Sequence, residues 1–419
     1  MTVRRRLCAL ATTVALTPAL LVLTPPAASS AGNTGTHRAG AAESAQVVLD
    51  WERILMQTVY PATPIPSGVP LLGFTSVAMH DAVTKSMRRP HSSEAAAVAR
   101  AAHDVLVHYF PASAATLAAH LDTSLAAVTD PEERARGELQ GAAAAREMLA
   151  SRVGDGYGDP DIHYTLSPAI GIWQPVPPAT DMLVAWLGSL EPMVLRNPIR
   201  VDGPDRLRSR AYAVDYNQVK RLGGSPASGT QRSQRQTETA QFFNANSATM
   251  VGDALVRYLE SGAEDLSLAE TALLFARIHA AMTDSVIQAW QLKRDVGFWR
   301  PNEAIAGAGG DGNPRTAPQA GWTSLLAVPP YADYVSGHAA LTAPAIEVIR
   351  RTLGERTRLE LISANPLATD PQRTYARLRG VEWNAFHSRI WGGLHFRDAM
   401  VDGYRIGHLT ARRVMAALH

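Results

Sequence analysis

Across 419 residues there is a single cysteine, Cys8. That excludes an intramolecular disulfide and a multi-cysteine metal site. Charge of one sign is also missing: 40 basic and 38 acidic residues leave a formal net charge of +2. A chain so balanced offers no electrostatic case for nucleic acid or an anionic membrane surface. G-x-S-x-G, H-E-x-x-H and Walker loops are absent. "GAGGDG" at 307–312 fits G-x-G-x-x-G, but no strand precedes it and Pro314 follows, so it reads as flexible loop. "DGYGDPD" at 155–161 spaces its acids alternately, yet lacks the twelfth-position glutamate of an EF-hand and reads as a turn.

The one long apolar run, "LCALATTVALTPALLVL", follows Arg4, Arg5 and Arg6 and precedes the small residues "PPAASSA". This is the pattern of a signal peptide, residues 1–31, on a secreted protein. Thr12, Thr13, Thr17 and Pro18 interrupt the run, and no basic flank follows, which argues against a membrane anchor. The arginines ahead of Leu7 leave Sec and twin-arginine export both open. Cleavage near Ala31 removes three arginines and no acid, taking the formal charge from +2 to −1, and removes Cys8. The remaining chain then has no cysteine nucleophile, and its stability must come from buried apolar surface.

From 43 to 200 the apolar residues recur three and four apart, as in "SSEAAAVARAAHDVLVHYF" and "PEERARGELQGAAAAREMLASRV". Alternating β-branched runs are lacking, so the expected fold class is all-α, with two helical bundles over 43–200 and 235–419. A Gly/Ser/Arg/Gln-rich stretch at 202–236 reads as the link between them, and 301–335, rich in glycine and proline, as a structureless wall or lid. His80, His103, His108, His120 and His279 fall on helical patterns and are most simply packing or surface residues.

Three stretches carry chemistry. In "KRDVGFWRP", Lys293 and Arg300 are seven apart, which on a helix brings them within about 20° of one direction. Pro301 disfavours α geometry at Arg300, so the pair is expected at a helix C-terminus, among Trp290, Phe298 and Trp299. In "YVSGHAAL", Ser336 reads as an N-cap, with Gly337 and His338 opening a helix whose free N–H groups suit an anion. In "SRIWGGLHFRD", Arg389 and His395 can address one ligand only if Gly392 and Gly393 break the helix between them. Each stretch has a bland reading as surface or core. Together they supply charge, hydrogen bonds and two histidines suited to one tetrahedral oxyanion.

These motifs resemble the superfamily of vanadium-dependent haloperoxidases and type 2 phosphatidic-acid phosphatases, with the pattern K-x6-R-P, P-S-G-H, S-R-x5-H-x3-D. The first motif is complete, valine stands for proline at 335, and the next acid, Asp398, comes one residue early for the family's aspartate. "FWRP", Trp290 and the long helical N-terminal half are most similar to the chloroperoxidase-like bacterial branch. The resemblance implies an enzyme with vanadate bound through His395, its oxygens held by Lys293, Arg300, Ser336, Gly337 and Arg389. His338 is then the acid/base group, and Trp290 and Tyr331 line a halide pocket. Hydrogen peroxide, halide and a small organic acceptor are the implied partners, with halide preference and a homodimer left open. The alternative is a phosphatase that uses the same residues on phosphate through a phosphohistidine at His395.

Overall fold

The computed structural model describes residues 43–419, so the signal-peptide reading of 1–31 and Cys8 lie outside the described residues. The described residues are mostly helical. In the N-terminal half run α1 (Gln46–Ala62), α2 (Ile65–Met87), α3 (Glu94–Tyr109), α4 (Ala114–Ala126) and α5 (Pro131–Ser151). Side chains that prefer the cap position mark several starts: Ser93 Oγ accepts from Ala96 N, and Asp130 from Glu132 N and Glu133 N ahead of Pro131.

Between α5 and α6 (Arg210–Leu222) lies a long irregular segment. Two polar side chains on α9 (Leu268–Val296) tie it down. Asp284 accepts from the backbone N–H of Met193, Val194 and Leu195 at 2.6, 2.9 and 2.8 Å. Gln288 both accepts from Ile199 N at 2.9 Å and donates to Ile199 O at 2.6 Å. The stretch expected to be a link therefore contains a helix, α6. Ser209 caps it, and Tyr212, Tyr216 and Val219, four and three apart, bury one face.

After α7 (Gln234–Phe242) and α8 (Ser247–Glu260), the 29-residue α9 starts at a capping box of Ser267 and Glu270. Helix α2 from the N-terminal half packs along α9, and so do α11 (Gly337–Leu353) and α13 (Arg397–Ala417). The C-terminal end of α9 is thereby held from several sides, and Lys293 sits on its last turns. Close approach of α13 to α11 depends on glycine: a Cβ at Gly403 would lie 2.7 Å from Ala339 Cβ, and one at Gly407 2.6 Å from Pro344 Cδ.

Two elements depart from the sequence reading. Residues 301–335 are not structureless throughout, because Pro301 at the first position and Glu303 accepting from Arg300 N start the short helix α10 (Pro301–Gly307). A small antiparallel hairpin, β1 (Leu359–Ile362) with β2 (Gln372–Tyr375), precedes α12 (Leu378–Trp391). Each strand is four residues long; β1 buries Leu359 and Leu361 alternately, but so short a run and the exposed and half-buried β2 gave too little alternation to read. No helix among the described residues is long and apolar enough to cross a membrane.

On the outer face, Glu347 of α11 accepts from Arg350 at 2.8 Å, Arg351 at 2.7 Å and Arg412 of α13 at 2.9 Å. Burial pushes its carboxyl up, but hydrogen bonds from Arg351, Arg412 and Arg350 outweigh that and hold it at about 2. A carboxyl depressed from 4.5 contributes stability above its unfolded value and loses it as pH falls toward the folded value. Between pH 4.5 and 2, thermal unfolding of wild type is therefore expected to lose more melting temperature than that of Glu347→Gln. Parallel curves would show that this cluster contributes nothing.

Candidate active site

The ends of several helices meet at one cavity of about 280 Å³. Trp290, Tyr331, Gly337, His338 and Arg389 line it, together with Asn244, Ala245, Asn246 and Ser247 from the turn into α8. Lys293, Arg300 and Ser336 are 0% exposed and His395 2%, so they form the buried polar wall next to the cavity residues. All nine sequence-derived residues thus fall in one neighbourhood, though by a different route for the first pair.

Helix α9 stops at Gly297, whose left-handed φ of 59° ends it, and a Cβ there would lie 2.4 Å from Tyr164 Oη. Arg300 is extended and sits ahead of α10, so it does not share a helical face with Lys293. The two cations meet around Tyr331 instead: Lys293 Nζ is 4.9 Å and Arg300 Cζ 4.8 Å from its ring centroid. Lys293 Nζ also donates to the carbonyls of Ala332 and Asp333 at 2.8 and 3.0 Å. Arg300 Nε donates to Tyr331 O at 2.6 Å and Nη1 to Leu394 O at 2.9 Å.

Ser336 is the N-cap of α11, with Oγ accepting from Ala339 N at 3.4 Å. Gly337 is needed for packing as well as for open N–H groups: a Cβ there would meet Trp290 Cζ3 at 2.8 Å. The indole cannot retreat freely, because its Nε1 donates to Leu183 O at 3.1 Å. As expected, α12 ends before Gly392, and Gly393 takes a φ of 77°, so Arg389 and His395 leave one helical line.

The acid partner of His395 was not legible in the motifs. Asp333 Oδ1 lies 2.7 Å from His395 Nδ1, and Asp333 is 0% exposed. Asp398 turns elsewhere: its Oδ2 accepts from Asp205 N at 3.0 Å and its N donates to Asp215 Oδ2 at 2.7 Å. The only sequence signal for Asp333 was an acid inside the apolar "YADYV". A second missed contact is Ser247 Oγ, 2.9 Å from His338 Nε2. Asn244 Oδ1 is also 3.5 Å from Arg389 Nη1.

The electrostatics are those of a cationic hole. Burial, then Arg300, push Lys293 well down, with Asp333 opposing. Burial holds Arg389 down to about 10 and carries Asp333 up to about 7. Burial and then Arg300, Lys293, Arg389 and His338 keep His395 well below the usual histidine range, hence neutral. Burial and Arg389 do the same to His338. No group of three or more His, Cys, Asp or Glu able to hold a bare cation occurs among the described residues.

The fold is a helical-bundle one with a buried, carboxylate-poor cluster of cationic side chains beside its cavity. Residues 273–419 match the VCPO second helical-bundle domain. Over 177 residues the chain is 29% identical to the vanadium chloroperoxidase of Curvularia inaequalis, covering 35% of this chain and 29% of that protein. The match therefore spans less than a third of that relative's length. The crystal structure of the first bacterial vanadium-dependent iodoperoxidase aligns with a TM-score of 0.71 at 18% identity, over 90% of this chain and 97% of that one. The holo-type bacterial vanadium-dependent chloroperoxidase aligns at 0.66 and 16% identity, over 85% of this chain and 93% of that one. The resemblance read from the motifs holds, and the fold is that of the bacterial vanadium haloperoxidases.

Proposed function

We propose that this protein is an exported vanadate-dependent haloperoxidase that uses hydrogen peroxide to oxidise halide, releasing hypohalous acid or halogenating a small organic acceptor. One observation carries the reading: three buried cations, Arg389 lining the cavity and Lys293 and Arg300 in the wall behind it, have a single buried carboxylate, Asp333, among them, and their donors are not used up. Among the described residues Arg300 Nη2 and Arg389 Nε are buried without a partner, and Lys293 has one of its three N–H donors left after Ala332 O and Asp333 O. Unpaired buried donors cost free energy unless an anion takes them up.

Vanadate fits this donor set. His395, neutral and oriented through Nδ1, would present Nε2 as its ligand, while Lys293, Arg300, Arg389, Ser336 and the Gly337 N–H would hold the oxygens. When bound, vanadate supplies a Lewis-acidic centre that activates peroxide toward halide without a change of metal oxidation state. The chain's own residues supply the rest. The cations would neutralise the anionic oxygens, His338 would hold a proton toward the cavity and give it up there, and Trp290 and Tyr331 would give the halide an aromatic wall.

The test is bromination of monochlorodimedone by purified protein with orthovanadate and peroxide, run beside p-nitrophenyl phosphate hydrolysis by the vanadate-free form. Vanadate-dependent bromination that disappears in His395→Ala is the expected result. Phosphate release without bromination would show that the same residues serve a phosphatase.

A further inference from the structure

Ser247 is the first residue of α8, and Asn246, not Ser247, caps that helix through its side chain. The Ser247 hydroxyl is thus free of capping duty. It lies 2.9 Å from His338 Nε2 and accepts from Thr342 Oγ1 at 3.2 Å. Ser247 and Thr342 are 5% and 2% exposed, so their mutual bond is buried, while the bond to His338 lies part-buried at the cavity edge. Thr342 follows His338 by four residues on α11, so both side chains stand on one face.

We infer that Ser247, set by Thr342, is a positioning residue that fixes the ring orientation and tautomer of His338. A hydroxyl has one proton to give and two lone pairs to accept with. Thr342 occupies one lone pair, and the acceptor placed for the Ser247 proton is His338 Nε2. A neutral His338 that accepts at Nε2 carries its proton on Nδ1. That nitrogen has no protein partner among the described residues, on a ring that lines the cavity. When the ring gains a proton, Nε2–H donates to the second lone pair of Ser247, whose own hydrogen rotates away. Both protonation states are thereby held in one orientation. The charged neighbour, Arg389 on α12, lowers the ring's basicity but does not select its tautomer.

This inference rests on the reading of His338 as the acid/base group, and its test separates the two. Imidazole 15N–1H correlation spectra of the full chain, with the His338 signals assigned by their loss in His338→Gln, report the tautomer without any turnover. Wild type is expected to show the Nδ1–H form alone. Ser247→Ala should show mixed tautomers and a kcat lower by roughly 10–100-fold, the range for loss of a ligand-orienting partner. Phosphate affinity should be unchanged, and Ser247→Thr should restore both properties. An Nε2–H form in wild type, or a pure Nδ1–H form in Ser247→Ala, overturns the inference. Failure of wild type to bind phosphate or vanadate overturns the oxyanion reading instead, and leaves the spectra to decide the role of Ser247.

Discussion

An Asp333→Ala variant is expected to bind orthovanadate roughly 10–100-fold more weakly than wild type while binding inorganic phosphate at least as well. Two effects of the carboxylate oppose each other. Its bond to His395 Nδ1, at 2.7 Å, fixes the ring so that Nε2 can act as ligand. Its charge, however, offsets part of the field of Lys293 and Arg300, which pull its pKa down against burial. Removing it frees the His395 ring but leaves the cations with less competition for an anion.

On the proposed reading vanadate takes the imidazole as ligand, so it would feel both effects and lose on balance. Phosphate, held by charge and hydrogen bonds, feels mainly the second. Asp333→Asn keeps an acceptor for Nδ1 without the charge, so it should retain vanadate and tighten phosphate. Isothermal titration with each anion separates the cases. Equal weakening of both anions in Asp333→Ala would mean that the wall collapses and Asp333 is structural.

The pieces legible in sequence were those written along the chain. Ser336 announced the start of α11, and the glycine pair at 392–393 announced the break that lets Arg389 and His395 face one place. What was not legible came through space. Asp333 meets His395 across 62 residues and Ser247 meets His338 across 91, from turns with no periodic signal. The local rule that failed did so for a local reason. A helix carried on to Arg300 would have placed it with Lys293, but Gly297 stops the helix and the pair meets around the Tyr331 ring.

Glu52→Gln is expected to stabilise the protein on the alkaline side and to leave acid stability nearly unchanged. Glu52 is 0% exposed, hydrogen-bonded to Ser76 Oγ at 2.8 Å, and Ser76 Oγ lies 2.8 Å from His279 Nδ1. Burial carries Glu52 up to about 8, with the Ser76 bond opposing, and carries His279 down to about 3. Because the Glu52 pKa is raised from 4.5, the stability it contributes is present below pH 4.5 and lost as pH rises through 8. His279, lowered from 6.5, acts in the other sense: stability is lost as pH falls from 6.5 toward 3. The two slopes cancel between pH 4.5 and 6.5, which leaves a plateau with a fall on each side. The neutral amide of the Glu52→Gln variant keeps a hydrogen bond to Ser76 and removes the Glu52 slope, so the plateau becomes a rise up to pH 6.5 and the alkaline fall disappears. Across pH 4.5 to 8 the variant should gain on wild type by an amount on the order of 3–5 kcal/mol, the linkage value of so large a shift. Denaturant unfolding at several pH values measures that gain directly. A constant difference between the two proteins over this range would mean that Glu52 is ionised in the folded core, with His279 as its charged partner.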